Sequence, residues 1–231
     1  VEAVGSRVTR FRAGDAVYAE SDQGGYAELV DVHAAALPVS GTTALQGLRL
    51  AGVGAGQHVL VNGASGGVGG FAVQLAKAMG AEVTGVCRSA KVDHVRALGA
   101  DHVIDYTSED FTAGGPRYDV VFDLVADHPL ARVRHSLAKH GTLVLSSGTG
   151  GKVFGPFGRI IRASVISPFV SQHLRPLAAR RNGEDLAELA RRVDAGEITP
   201  VVDEVFPLEH AAEAITRFES GVVRGKVVIE V

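Results

Sequence analysis

From Gln57 onward, short segments of consecutive apolar residues alternate with longer segments in which apolar positions recur at a helical period. The short segments predict strands that are buried on both faces, because such strands have no need of polar residues. The predicted strands are His58–Val61, Val83–Cys87, Val103–Ile104, Val120–Val125 and Leu143–Leu145. The predicted helices are Val68–Met79, Lys91–Leu98 and Pro129–Lys139. This alternation is typical of an α/β fold in which helices wrap a doubly wound parallel sheet.

Two further signals refine this part of the chain. Glycines suited to end a helix follow the predicted helices, at Gly80, at Gly99 and, after His140, at Gly141. Val165–Ser167 follows the other predicted strands, so we expect it to form the edge of the sheet. An exposed apolar edge pairs with another chain unless something covers it.

The two ends of the chain differ from this middle zone. Up to about Ala44 the sequence is rich in Gly and Val, and Val17–Ala19 and Tyr26–Val32 predict strands of a small β-rich piece. Near the other end, Asn182 with Asp185 three residues later predicts the start of a helix, Ala211–Glu219 predicts a second helix, and Lys226–Val231 predicts a final strand.

Composition and charge narrow the class of protein. The 231 residues carry a net charge of −3, which offers no basic surface for nucleic acid. A single cysteine excludes a disulfide framework or a multi-cysteine metal site within this sequence and is typical of a reducing compartment. No apolar run approaches the roughly 20 residues of a membrane span, and no signal peptide is recognisable. We therefore expect a cytoplasmic globular protein with neither nucleic acid nor a membrane as partner.

The chemistry concentrates in the glycine-rich segment Asn62–Gly70. Glycines at 63, 66 and 69 allow a tight turn and a close approach of backbone to a ligand. The free N–H groups at the start of the following helix favour an anion such as a pyrophosphate. The segment follows a strand, precedes a helix and lies within a βαβ unit, and this context predicts a dinucleotide site. The alternative is a glycine-rich turn that binds nothing.

A second alternative comes from a different class of protein. Gly63–Gly67 also matches the G-x-S-x-G nucleophile elbow of hydrolases, with Ser65 as the nucleophile. The elbow normally follows several strands of the sheet, whereas this segment follows the first strand of the series. No His-Gly-Gly-Gly segment precedes it either.

The residues after the second predicted strand bear on the type of cofactor. An Asp or Glu there would select the ribose 2′-OH of NADH, whereas a cation accommodates the 2′-phosphate of NADPH. The strand ends at Cys87, and Arg88, Ser89 and Lys91 follow it without an acid. This pattern favours NADPH, although Ser89 as a helix N-cap and Lys91 as a solvated residue would explain it equally well. We interpret Cys87 as a small apolar residue of the strand.

Several stretches together resemble the medium-chain dehydrogenase/reductase superfamily, and most closely its zinc-free quinone oxidoreductase (zeta-crystallin-like) branch. They are Val4–Phe11, Gly14–Val17, Gly24–Glu28, Leu37–Ala44, Gly63–Gly69, Leu98–Tyr106 and Arg224–Val228. The resemblance implies a GroES-like catalytic domain made from both chain ends and a Rossmann domain between them. It divides the chain into residues 1–43 (partial GroES-like domain), 44–179 (Rossmann domain) and 180–231 (return to the catalytic domain).

The resemblance also implies cofactor contacts from Thr43, from Tyr106 and from the loop after Leu143–Leu145. Combined with the glycine-rich segment and the residues after the second strand, the predicted cofactor-binding set is Thr43, Gly63, Ser65, Gly66, Gly67, Val68, Gly69, Arg88, Ser89, Lys91, Tyr106, Val125, Ser146 and Ser147. No metal ligand and no catalytic residue are assigned.

The chain departs from the family in two places. Relative to the family, the N-terminal part of the catalytic domain, with one wall of the substrate pocket, is missing. The passage from Val32 to His33 is also abrupt, as if by deletion or by skipped residues. Zinc is not expected, because Cys87 is the sole cysteine and lies in the cofactor domain.

The resemblance implies that a homodimer transfers hydride from NADPH to a quinone or another conjugated carbonyl, and we expect this activity without zinc. The alternatives are an alcohol dehydrogenase or enoyl reductase of the same superfamily, and a crystallin-like protein that binds NADPH without catalysis. The last alternative is a hydrolase with Ser65 as its nucleophile.

Overall fold

The structure is a computed structural model that describes residues 36–146 and 157–230, together with residues 12 and 14. The helices are α1 (Pro38–Ala51), α2 (Gly67–Ala78), α3 (Val92–Ala97), α4 (Leu130–His135), α5 (Phe157–Ile166), α6 (Gly183–Asp194) and α7 (Ala211–Glu219). The strands are β1 (His58–Asn62), β2 (Glu82–Cys87), β3 (His102–Asp105), β4 (Tyr118–Asp123), β5 (Leu137–Leu145), β6 (His173–Pro176), β7 (Val202–Pro207) and β8 (Lys226–Glu230).

The predicted α/β fold is confirmed by a six-stranded sheet in the order β3-β2-β1-β4-β5-β6. All of its pairings are parallel. The direction of winding reverses between β1 and β4, and such a reversal leaves a crevice at the carboxyl ends of the strands. The sheet therefore provides a ligand site at the ends of β1 and β4.

The core lies on both faces of this sheet. On one face, Leu45 and Leu48 of α1 pack with Val59 and Phe122 of the strands, and all four side chains are fully buried. On the other face, a second apolar cluster contains Leu60 and Val121. Successive side chains of a strand point to opposite faces of the sheet. The central strands are therefore apolar on both faces, as the sequence predicts.

Helix α1 has no counterpart among the predicted elements. It begins at Pro38, a residue suited to the first turn of a helix, and Gly52 ends it in the left-handed conformation. The helix runs through the predicted boundary between residues 43 and 44, and the division into domains stays a prediction. The predicted strands Val17–Ala19 and Tyr26–Val32 lie outside the described residues.

The predicted helix Pro129–Lys139 is too long, and Gly141 does not end it. The helix ends at His135, because Tyr118 N–H donates to the carbonyl of Ser136 (2.9 Å) and draws the chain into strand β5. Gly141 lies within β5, where a Cβ would be 2.9 Å from the carbonyl oxygen of Tyr118. This glycine therefore allows β4 and β5 to approach closely.

The prediction of an edge strand at Val165–Ser167 is also wrong. The segment belongs to α5 and to a 3-10 turn over Ser167–Phe169, and the edge strand is β6. Ala163 is fully buried whereas Ile161 and Val165 are exposed, so burial follows the helical period. Val165 lies on the outer side of the helix, whereas Ile166 packs partly buried against the second apolar cluster.

The two predicted C-terminal helices and the predicted final strand are confirmed, whereas β7 has no counterpart among the predicted elements. Asn182 caps α6 by accepting a hydrogen bond from Glu184 N–H at 2.9 Å, and α7 is Ala211–Glu219 as predicted. Strands β7 and β8 form a small parallel sheet of their own. No helix within residues 36–146 and 157–230 is long and apolar enough to cross a membrane.

Candidate functional site

The glycine-rich segment joins β1 to α2 at the crevice. Gly63 turns the chain with a φ of +90°, a conformation that glycine adopts without strain. A Cβ on Gly69 would be 2.1 Å from the carbonyl oxygen of Gly63, so only glycine lets α2 pack this closely on the loop. Gly66 precedes the helix, and no side chain caps it. The first N–H groups of α2 have no partners within the helix and are available to an anion.

A cavity of about 530 Å³ opens next to this loop. Its lining comprises Asn62, Gly63, Ser65, Gly66, Val68, Gly69, Val86, Cys87, Tyr106, Leu124, Val125 and Asp127. Half of the predicted cofactor-binding set is therefore brought together around one space, namely Gly63, Ser65, Gly66, Val68, Gly69, Tyr106 and Val125. The volume lies within the range of about 300–1,000 Å³ that is usual for small-molecule sites.

Arg88 and Ser89 lie at the end of β2, as predicted. Arg88 is exposed, and its Nε donates to the Tyr106 hydroxyl at 3.3 Å, which places the guanidinium beside the cavity. Ser89 donates its hydroxyl proton to Asp105 at 2.5 Å. This bond, with those from the N–H and hydroxyl of Thr107, lowers the pKa of Asp105. Among its contacts with described residues, Arg88 uses only Nε in a hydrogen bond, so its terminal N–H groups can donate to a phosphate.

Lys91 lies differently from the solvated or phosphate-binding position expected of it. Only 8% of the residue is exposed, and its Nζ donates to the carbonyl oxygens of Gly221 (3.1 Å) and Val223 (2.5 Å). Burial, followed by repulsion from Arg88, lowers the pKa of Lys91. The ammonium is therefore directed to the C-terminal segment.

The remaining predicted residues lie away from the cavity lining. Thr43 is half-buried in α1, and its hydroxyl donates to the carbonyl of Val39 at 2.6 Å. Ser146 follows β5, and its N–H donates to the carbonyl of Asp123 at 3.3 Å. Gly67 begins α2 on the side that faces Lys226. Ser147 lies outside the described residues.

The sequence analysis missed two side chains that adjoin the glycine loop. A Cβ on Gly67 would be 3.0 Å from Cε of Lys226 and 3.1 Å from Oγ of Ser40. Burial lowers the pKa of Lys226. Both residues lie within the stretches that carry the family resemblance, at Leu37–Ala44 and Arg224–Val228. Their place at the loop depends on contacts between distant parts of the chain, which no local pattern predicts.

A buried network supports the other wall of the cavity. Asp123 is fully buried, and its Oδ1 accepts hydrogen bonds from Asn62 Nδ2 (2.9 Å) and Ala126 N (2.9 Å), while its Oδ2 accepts one from Arg159 Nη2 (2.6 Å). Because a buried carboxylate is stable only when it is paired, Arg159 stabilises the charge that holds the loop after β4. Ala126 in this loop has a φ of +63°.

Asp127 brings a carboxylate to the cavity itself. It accepts a hydrogen bond from Asn62 Nδ2 at 3.0 Å and lies 2.9 Å from Nδ1 of His128. Burial opposes the ionisation of Asp127, but the bonds from His128 and Asn62 outweigh it and lower its pKa. An anionic acceptor here suits hydroxyl or amino groups of a ligand and disfavours a phosphate.

Cys87 and Ser65 give no sign of nucleophilic chemistry. Burial, aided by the Asp105 carboxylate, raises the pKa of the Cys87 thiol to about 11, so the thiol is protonated at neutral pH. Within residues 36–146 and 157–230, no histidine makes a hydrogen bond to the Ser65 hydroxyl. A hydrolase would need such a base.

Comparisons with known proteins agree with this geometry. A family model described as zinc-binding dehydrogenase matches residues 98–229. A chloroplast envelope quinone oxidoreductase homolog of Arabidopsis thaliana is 33% identical over 98% of the chain and 76% of its own length. The chain belongs to this dehydrogenase family, within the medium-chain dehydrogenase/reductase superfamily of oxidoreductases.

Two further proteins support the assignment. The human mitochondrial NAD(P)H oxidoreductase RTN4IP1 is 35% identical over 88% of this chain and 56% of its own length. The solved structure of the quinone oxidoreductase from Coxiella burnetii matches with a TM-score of 0.74 and 32% identity, over 85% of this chain and 60% of that one. The chain thus spans little more than half of the human relative and three-fifths of the Coxiella enzyme.

The residues present fit a nicotinamide dinucleotide. The uncapped start of α2 and the half-buried Lys226 suit a pyrophosphate, and the cavity beyond them is large enough for the adenosine part. In the part of the chain that the structure describes, no group of three His, Cys, Asp or Glu side chains could hold a metal ion.

Gly66→Val tests the site. The nearest atom to a Cβ at this position is the Gly63 carbonyl oxygen at 3.5 Å, so the variant should fold. Its side chain would fill the space where the pyrophosphate meets the backbone, and we expect dinucleotide affinity to fall at least about a hundredfold. Titration of cofactor fluorescence measures the affinity, and thermal unfolding checks the fold.

Gly54→Ala is the matched control, because Gly54 has open space around it and lies outside the cavity. It should bind as the wild type does. Unchanged affinity in Gly66→Val would refute the dinucleotide site.

Proposed function

We propose that this protein is an NADPH-dependent reductase that transfers hydride to a quinone or another conjugated carbonyl without zinc. The observation that carries the proposal is the combination of the uncapped glycine loop with Arg88 at the end of β2. The names of the Arabidopsis and Coxiella relatives support a quinone as acceptor.

The choice of NADPH rests on charge at the end of β2. Arg88 reaches the rim of the cavity, while the carboxylate of Asp105 accepts hydrogen bonds from Ser89 and Thr107. A guanidinium can bind a phosphate through paired hydrogen bonds, so the 2′-phosphate is favoured here.

The protein's own part in the reaction is binding and orientation. A bound reduced nicotinamide supplies the hydride. The start of α2 and Lys226 would hold the pyrophosphate. The hydrogen bond from Asn62 to Asp127 would keep the Asp127 carboxylate in place at the wall of the cavity. We assign no catalytic residue.

We also propose a homodimer, formed through the edge strand β6. Ile161, Val165 and Phe169 beside this edge are 53%, 63% and 86% exposed, which makes an apolar surface next to strand backbone that no other described strand pairs. Pairing two such edges across a two-fold axis would cover both features. The cytoplasmic location expected from the single cysteine stays a prediction.

Turnover with a panel of acceptors tests the reaction. We expect NADPH oxidation with quinones and enones, and no dependence on added zinc or chelator. Oxidation of secondary alcohols alone would favour an alcohol dehydrogenase. NADPH binding without turnover of any acceptor would favour a non-catalytic protein, and hydrolysis of an ester that is lost in Ser65→Ala would revive the hydrolase.

Arg88→Ala tests the cofactor preference. One charge-assisted hydrogen bond contributes about 1.5–3 kcal/mol to the free energy of binding. Losing it should lower NADPH affinity about ten- to a hundredfold while NADH affinity hardly changes. Arg88→Asp should reverse the preference. The control is Arg96→Ala, because Arg96 is 62% exposed and pairs with Asp93. Both cofactors are titrated at one salt concentration, and equal losses for the two would contradict the assignment.

Phe169→Asp tests the dimer. A charge in the centre of the covered surface should yield a monomer, whereas Phe218→Asp, at a comparably exposed phenylalanine of α7, should leave the dimer intact. Size-exclusion chromatography with light scattering measures the mass. A monomeric wild type at micromolar concentration would disprove the dimer.

A further inference from the structure

Lys91 joins two parts of the molecule that are far apart in sequence. Its side chain is buried beneath the C-terminal segment, and two of its three N–H donors are used by the carbonyls of Gly221 and Val223, 130 and 132 residues away. Each of these bonds carries a full charge on the donor, which makes it stronger than a neutral one.

The segment that Lys91 holds, residues 221–226, is the one that meets the glycine loop. Gly225 pairs with Gly66 in an isolated parallel bridge, and its N–H donates to the carbonyl of Ser65 at 3.4 Å. Lys226 follows directly, with Cε 3.0 Å from the Cβ position of Gly67. The bonds of Lys91 therefore fix the backbone within three residues of the ammonium that adjoins the pyrophosphate site.

We propose that Lys91 is a positioning residue that clasps residues 221–226 onto the glycine loop and thereby sets Lys226 at the pyrophosphate site. It does not act as a ligand of the 2′-phosphate. The proposal rests on the proposed function for its cofactor, although the clasp itself can be observed without one.

A lysine that binds the 2′-phosphate and a lysine that positions Lys226 predict different effects on the affinities for NADPH and NADH. A 2′-phosphate ligand matters to NADPH alone, because NADH has no such phosphate. A residue that positions Lys226 matters to both equally, because the pyrophosphate is common to them. Arg88 provides the reference for the first pattern and Lys226 for the second.

The experiment measures NADPH and NADH affinity in Lys91→Met, whose side chain keeps the length but loses the charge. We expect both affinities to fall by the same factor, about tenfold, and Lys91→Arg to recover most of the loss because a guanidinium can also donate to the two carbonyls. Lys226→Met should likewise weaken both cofactors. The double variant should bind no worse than Lys226→Met alone, since the two residues act through one contact.

Lys77→Met is the matched control. Lys77 also donates to a carbonyl, that of Ala81 at 3.1 Å, and to Asp101, but it lies at the opposite end of α2 from the glycine loop. We expect its cofactor affinities to equal those of the wild type.

Hydrogen exchange of the cofactor-free protein gives an independent reading. The amides of Gly225 and Lys226 should exchange faster in Lys91→Met than in the wild type or in Lys77→Met. If the wild type binds neither dinucleotide, the proposed function fails. The exchange rates of these amides then show by themselves whether Lys91 holds residues 221–226 on the glycine loop. Unchanged exchange, or a loss of affinity confined to NADPH, would overturn the proposal.

Discussion

The contact between Gly69 and the carbonyl of Gly63 is the constraint on which the rest of the site depends. At this point α2 lies so close to the loop that any Cβ would collide with backbone. The contact fixes the first turn of the helix directly above the end of β1, where the winding of the sheet reverses. The partial positive charge of the helix start and the crevice of the sheet therefore meet at one place.

The opposite wall of the cleft depends on the fully buried carboxylate of Asp123. Asp123 organises Asn62 and the loop after β4, and Arg159 compensates for its burial. Such a pair adds little net stability, because the desolvation of two ions offsets most of their attraction. Its contribution is geometric, since it holds Ala126 in the left-handed conformation and directs Asp127 to the cavity.

The cleft is completed by residues from the far end of the chain. The bridge between Gly66 and Gly225 places the start of β8 against the glycine loop, and Lys226 brings an ammonium to a helix start that has no side-chain cap. In the proposed function, cofactor binding is thus shared between the large sheet and the C-terminal segment. The two cations that follow β2 make different contacts. Arg88 lies at the rim of the cavity, whereas Lys91 donates to carbonyls of the C-terminal segment.

The sequence by itself determined β1 to β5 of the large sheet, the glycine loop and the cap of α6, because these rest on local patterns of burial and of backbone freedom, but it did not predict the edge strand β6. It misassigned Val165–Ser167 and Gly141, since neighbouring β-branched residues within a helix resemble a strand, and a glycine needed for strand contact resembles a helix end. Only the tertiary structure decided what Lys91 and Lys226 contact. Their partners lie more than a hundred residues away, and which of several nearby lysines meets a carbonyl or a glycine loop depends on packing that no local pattern encodes.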